Sequence, residues 1–375
     1  MLTSARAAQT APPATPATPA ASPASTPYAS PALDVDDAGI QRRITAMLRD
    51  EQGVYGVVVA NADGELLGTR NSSLPFMTAS LYKLILMADI YRKIERGDLG
   101  QDDQIALDWS VFGEDGEAYF SPDQIGYTFP LQEYLFAAGA YSSNAAAWTL
   151  LTLTSTDDLA QTTADIQLTH TYIIADFSTI PIWPYRSGAD STRTDADTAT
   201  SFVQAWAASD SFVSITTPRD MAIFMQALTT RTLISGWISD QIAAILSQQT
   251  VRDRIPALLP AGTQVINKTG NLDNIVNDAG LVDLKSGPRI VVLLSEAIPD
   301  DTRATLILQR LALIAAGATE IPPLDVPDPA GLDVIDTTDP QSWMPDAEPS
   351  TDTSSDGGSS PDLSTPESDP NQGGD

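Results

Sequence analysis

The sequence predicts a mixed α/β (α+β) protein: a five-stranded antiparallel sheet flanked by terminal helices, with an all-helical subdomain inserted into it. Three observations lead there. Strand-like runs cluster near the two ends of residues 36–320, at 54–60 and 65–69 and again at 264–268, 278–282 and 289–295. Helical patterns fill the interval and also bracket the whole set. Neither group of strands has enough apolar face to be stable alone, so the two must meet in one sheet.

Each element has a local cause. Residues 36–50 place Ile40, Ile44 and Met47 at helical spacing behind an acidic start. Residues 54–60 are rich in β-branched side chains, Asn61-Ala-Asp-Gly64 is a turn, and 65–69 return as the second arm of a hairpin. A long apolar helix is expected over 80–96, stopped at Gly97, and further helices over 131–140 and 144–153. Thr217-Pro218 opens a helix running to Leu228, with Thr as N-cap and Pro at the first helical position. A helix over 238–248 precedes the last three strands, and 302–316 closes the region as an apolar helix.

Composition divides the chain into three. Residues 1–35 are mostly Ala, Pro, Thr and Ser, a linker with too little bulky apolar surface to offset ordering entropy. Residues 36–320 form one globular region, and 321–375 read as a disordered acidic tail without Lys or Arg. The formal net charge is -29; from Glu320 onward there are 14 acids and no bases, which leaves 35 acids against 20 bases before it. That balance excludes a nucleic-acid partner, which needs a basic footprint, and disfavours anionic membrane surfaces. There is no cysteine and no apolar run of membrane-spanning length. Ala5-Arg6-Ala7 has the small-x-small form of a signal-cleavage site ahead of a secreted-type linker. The expectation is a secreted or extracytoplasmic protein, acting as a monomer, whose signal segment begins upstream of Met1.

Three short motifs carry the chemistry: Ser80-Leu-Tyr-Lys83, Ser142-Ser143-Asn144 and Lys268-Thr269-Gly270. The chain has only four lysines, and two of them fall in these motifs. Ser80 opens the long helix, where free backbone N–H groups and the helix dipole suit an oxyanion. Lys83 lies one turn on, in an apolar run that buries it; a lysine stripped of water holds its proton weakly and can take one from a serine. Ser142 and Asn144 sit between two helices, able to relay a proton and to orient a carbonyl or the lysine, or else to cap the second helix. Lys268 and Thr269 end a strand and suit a carboxylate; Gly270 permits close backbone approach, and the N–H of Asn271 faces the same place. No Gly-rich phosphate loop is present, and one histidine, His170, is too few for a zinc hydrolase and lies far from any nucleophile elbow. No metal and no cofactor are expected. The Trp183-Pro-Tyr185 cluster reads as packing for its loop.

In their order and spacing these motifs resemble those of class A serine β-lactamases and of the penicillin-recognising transpeptidases and carboxypeptidases. Thr217-Pro-Arg-Asp-Met-Ala222, Gln249 to Pro256 and Asn277-Asp-Ala-Gly280 are similar to class A members, so the resemblance covers about residues 36–318. It implies a sheet domain and a helical domain with the active site between them. It implies Ser80 as acylated nucleophile, Lys83 as activating base, Ser142 as proton shuttle, Asn144 as a hydrogen-bonded neighbour of Lys83, and Lys268 with Thr269 as carboxylate binders. The expected substrate is a β-lactam or a cell-wall peptide. Two departures stand out. Ser143 replaces the aspartate usual in class A, and no glutamate lies between Asn144 and Thr217, where class A enzymes carry the one that activates the deacylating water. Asp176, Asp190, Asp195 and Asp197 fall in that stretch, with Asp176 nearest in position. The rival readings are a penicillin-binding carboxypeptidase or transpeptidase that deacylates slowly, and a non-catalytic binding module of the same fold. Deleting residues 325–375 is expected to leave the melting temperature almost unchanged; a drop of more than about 3 °C in a thermal melt would show that the tail packs on the body.

Overall fold

The computed structural model describes residues 31–34, 36–108, 117, 119–180, 192–209 and 212–324. Trp183, Tyr185 and Asp190 lie outside these residues, as do 1–30 and 325–375. In chain order the elements are α1 (Ile40–Met47), β1 (Val54–Asn61), β2 (Leu66–Arg70), β3 (Phe76–Met77), α2 (Tyr82–Arg96), β4 (Gln104–Ala106), β5 (Thr128–Pro130), α3 (Leu131–Ala140), α4 (Asn144–Leu151) and α5 (Thr156–Asp165). Then come β6 (Tyr172–Asp176), α6 (Arg193–Ser209), β7 (Phe212–Thr216), α7 (Pro218–Thr229), α8 (Gly236–Leu246), β8 (Val265–Leu272), β9 (Ile275–Leu284), β10 (Gly287–Glu296) and α9 (Asp301–Ala315).

The main sheet has the order β2-β1-β10-β9-β8, and every neighbouring pair is antiparallel. The first hairpin thus joins the last three strands through β1 and β10, with Val57 opposite Leu293. Both faces of the sheet are covered, which is why β1 reads as a continuous apolar run and not as an alternation. Val54, Val58 and Ala60 enter one core with α2 and α7, while Tyr55, Val57 and Val59 enter the other with α1 and α9. Ile290, Val292 and Leu294 of β10 divide from Val291 and Leu293 in the same way.

The inserted segment is not all helical. It carries a three-stranded sheet, β3-β7-β6, and the pair β4-β5, besides α3 to α8. These strands are two to five residues long, too short for a period of two to stand out in the sequence. The long helix also starts later than expected: Ala79–Leu81 form a single 3-10 turn and α2 begins at Tyr82. Packing extends to Leu33 and to Ile321 and Leu324, which lie against the α1/α9 core. Asp34 donates its N–H to the Ala316 carbonyl at 2.8 Å, and Arg310 donates to the Pro323 carbonyl at 2.8 Å. Among the described residues no helix is long and apolar enough to cross a membrane.

Glu296, the last residue of β10, is fully buried. One carboxyl oxygen accepts the Met77 N–H at 3.3 Å, and the other has no partner among the described residues. Burial pushes its pKa well above the ordinary value. A carboxyl raised in this way binds its proton more tightly folded than unfolded. It therefore lowers stability as pH rises from the unfolded pKa towards the folded one. Glu296→Gln is expected to raise the melting temperature at pH 8 by at least about 2 °C more than at pH 5. An equal effect at both pH values would mean that the carboxyl is not held protonated.

Candidate active site

The turn that carries Ser80 is held by strained backbone. Ala79 has φ 44°, in the left-handed region that costs an L-residue free energy and persists only where surroundings fix it. Those surroundings come from the sheets. The Thr78 N–H donates to the Ser214 carbonyl of β7 at 2.8 Å. The Asn277 side chain of β9 donates to the carbonyls of Met77 and Thr78 at 2.9 and 3.3 Å. Ser80 itself is half-buried, so its hydroxyl remains reachable.

Lys83 lies on the first turn of α2 and is fully buried. Its Nζ donates to the Ser142 carbonyl at 2.5 Å, to Asn144 Oδ1 at 2.8 Å and to Ser142 Oγ at 3.5 Å. Lys268 on β8, also fully buried, donates from Nζ to Ser142 Oγ at 2.8 Å and to the Thr269 carbonyl at 2.7 Å. Ser142 therefore sits between two lysines, in a left-handed residue (φ 60°) that links α3 to α4. Burial lowers the Lys83 pKa to about 7, against an opposing pull from the Glu117 carboxylate. Burial, reinforced by the charge of Lys83, drives the Lys268 pKa well below its ordinary value. Capping and chemistry divide between adjacent residues of the second motif. Ser143, in the place of the aspartate, caps α4 by accepting the Ala146 N–H at 2.9 Å, while Ser142 and Asn144 face the lysines.

β8 is an edge strand, hydrogen-bonded to β9 alone within the sheet, and its other edge runs along the Ser80 turn. Gly270 makes that approach possible. A Cβ there would lie 2.9 Å from the Thr78 oxygen and 3.0 Å from the Ser80 nitrogen. Thr269 is buried opposite Asp278, and Asn271 is exposed at the end of the approach. Arg254, buried beside this strand, donates to the carbonyls of Gly270 and Asn277 and to Asn271 Oδ1. Asp278 accepts from Asn267 Nδ2 at 2.9 Å and from the Ile255 N–H at 3.0 Å, and burial lifts its pKa to about 6.

A cavity of about 770 Å³ opens over Ser80 and Asn144. Trp148, Leu151, Ile174, Trp206, Val213 and Leu272 give it a broad apolar wall. Trp148 is 52 % exposed, unusual for so large an apolar group. Asp176 does not line this cavity. Its carboxylate accepts from the Ser178 N–H and hydroxyl at 2.9 and 2.7 Å and caps a short 3-10 turn. The residue of β6 that does face the cavity is Ile174, at φ 48°. Asp195 is engaged with Arg70 and Asn71. His170 is half exposed, beside Thr169 and Asp220, and is not in the cavity wall. Among the described residues the acids that do line the cavity are Asp273 and Asp301, at the β8–β9 turn and the start of α9.

Sequence reasoning missed Trp148, Trp206, Asp273 and Asp301, which belong to no short motif and reach the site only through the fold, and it gave Arg254, within the Gln249 to Pro256 stretch, no role. It also missed Glu117, which precedes the second motif in the chain, whereas the class A glutamate comes after it. Glu117 Oε2 accepts the Ala145 N–H at 2.9 Å, next to the asparagine that receives Lys83.

A family model described as the beta-lactamase enzyme family matches residues 39–318. Among solved structures, a beta-lactamase from Sphaerobacter thermophilus aligns with a TM-score of 0.60 at 22 % identity, covering 76 % of this chain and 98 % of that one. A beta-lactamase from Xanthomonas campestris pv. campestris gives 0.60 at 19 %, covering 76 % and 100 %. A structure of PBP-A gives 0.59 at 18 %, covering 76 % and 98 %. A search of curated proteins gave no match. At these identities the likeness to solved structures speaks for the fold, while the family match spans both the sheet and the segment inserted into it. The chain belongs to the beta-lactamase enzyme family.

Proposed function

We propose that the protein opens the β-lactam amide by acyl transfer to Ser80. The observation that carries this reading is the convergence of Lys83, Ser142, Asn144 and Lys268, from a helix, a helix junction and a sheet edge, beside the turn that presents Ser80. Neutral Lys83 takes the Ser80 hydroxyl proton as Oγ attacks the lactam carbonyl. The backbone N–H groups of Ser80 and Asn271 hold the oxyanion of the tetrahedral intermediate. The carbon–nitrogen bond then breaks. The departing ring nitrogen takes a proton from the Ser142 hydroxyl, which is resupplied from its two lysine neighbours. Water later cleaves the Ser80 ester and regenerates the serine.

Lys268 and Thr269 receive the substrate carboxylate. An arriving anion favours the charged form of Lys268, so binding restores a proton that burial had made hard to keep. The family match and the class A likeness favour lactam hydrolysis over the cell-wall peptidase and over a non-catalytic module. The linker composition and the Ala5-Arg6-Ala7 triplet support action outside the cytoplasm.

Ser80→Ala is expected to abolish covalent labelling by benzylpenicillin in intact-mass measurements; a surviving adduct would remove Ser80 as nucleophile. Because the reactive form of Lys83 is the neutral one, the acylation rate of the native protein should fall about tenfold per pH unit below about pH 7. A flat profile from pH 5 to 8 would exclude Lys83 as the base. Gly270→Ala, which forces β8 away from the Ser80 turn, is expected to slow acylation on the order of 100-fold. An unchanged rate would mean that the close approach does not matter.

A further inference from the structure

Glu117 is the acid that the proposed chemistry does not use, yet it is fixed beside the lysine relay. Its two carboxylate oxygens are engaged by three backbone N–H groups. Oε2 accepts from Ala145 at 2.9 Å, and Oε1 accepts from Tyr119 at 3.0 Å and Phe120 at 3.3 Å. Ala145 is the second residue of α4, so the carboxylate lies at that helix's positive end, where a negative charge is favoured. The hydrogen bond falls one residue after Asn144, whose Oδ1 receives Lys83 Nζ at 2.8 Å. Tyr119, two residues on from Glu117, is fastened by aromatic packing: its ring meets Phe120, Phe136 and Tyr141 edge-on, and its hydroxyl donates to Glu133.

We propose that Glu117 is a positioning residue of this site, a fixed carboxylate that holds the proton on buried Lys83. Glu117 does not line the cavity, so its route to the chemistry runs through the lysine. Among the described residues the ionisable groups that face Lys83 are few. Lys268 stands across Ser142, and the Tyr82 ring lies 5.9 Å from Lys83 Nζ. Asp278 and Arg254 act on Lys268 from its far side. Burial drives the proton off Lys83, and the Glu117 carboxylate is the charge that opposes it. Without it, Lys83 would be neutral over a wider pH range, but less able to hold a proton received from Ser80 and pass it on. The functional meaning of this role rests on the reading of Lys83 as the base.

The chain has four lysines, so each can be followed by NMR after labelling at the ε-carbon, with Lys83→Met identifying the Lys83 signal. Glu117→Gln keeps a hydrogen-bond acceptor and removes the charge. It is expected to lower the Lys83 titration midpoint by about one pH unit, as loss of a nearby unit charge does at an effective dielectric of about 20. Glu117→Asp should restore most of the difference, and Lys93 and Lys285 should not move in either variant. Their unmoved signals also report that the fold is intact, and Glu117→Ser supplies a second neutral substitution should the glutamine variant fail to fold. A Lys83 midpoint that stays in place in a folded neutral variant overturns the proposal. The acid limb of acylation, followed with a chromogenic cephalosporin, should move down with the lysine midpoint. If the midpoint moves and the limb does not, the role of Glu117 stands and the reading of Lys83 as base fails.

Discussion

Two lysines without solvent, both donating towards one serine hydroxyl, set the terms for the rest of the structure. An ammonium group out of water is costly, and two of them around Ser142 are more costly still. The fold offsets that cost with oxygen acceptors at short range: the carbonyls of Ser142 and Thr269 and the amide of Asn144. It also places carboxylates at the edge, Glu117 on the Lys83 side and Asp278 on the Lys268 side. What remains is a pair of amines whose hold on a proton burial weakens, that of Lys83 to a pKa of about 7. In the proposed acyl transfer that is the property required of a base and of a proton relay.

The architecture follows from the need to bring those groups together. Lys83 belongs to a helix that enters the core, Ser142 and Asn144 to a helix junction, and Lys268 to the outer edge of the sheet. β8 can lie against the Ser80 turn because Gly270 has no side chain at the point of contact. The turn in turn depends on Asn277 of the neighbouring strand and on β7, which hold Met77 and Thr78 while Ala79 takes a left-handed conformation. Positive φ at both Ala79 and Ser142 places local strain where the functional groups meet, with the surrounding hydrogen bonds keeping it in place.

Much of this was legible in the sequence, for identifiable reasons. Strands β1 and β10 carry β-branched runs, and the Thr217-Pro218 cap marks the start of α7 to the residue. The three motifs were visible because their residues are close together in the chain. What the sequence hid was whatever depends on distance through space. Glu117 comes to bear on the lysine only because its carboxylate accepts the Ala145 N–H at the start of α4. Asp176 looks well placed by position, but its side chain satisfies the backbone of its own turn, and Ile174, two residues earlier, is the one that faces the cavity. The short strands β3, β6 and β7 had too few residues to show a period, although they form the sheet that steadies the Ser80 turn.

The apolar wall around Ile174, Val213 and Trp206 bears on the fate of the acyl-enzyme. From β6 the cavity is met by Ile174, so an ester formed on Ser80 by the proposed acyl transfer has an apolar surface on that side. Rapid mixing of the native protein with a chromogenic cephalosporin, read by colour and by intact mass with mapping of the modified peptide, tests that acyl transfer directly. We expect ring opening accompanied by an adduct on Ser80 that forms with the first equivalent of product and is later released. Ring opening with no covalent adduct at any time, or an adduct on another residue, would contradict it.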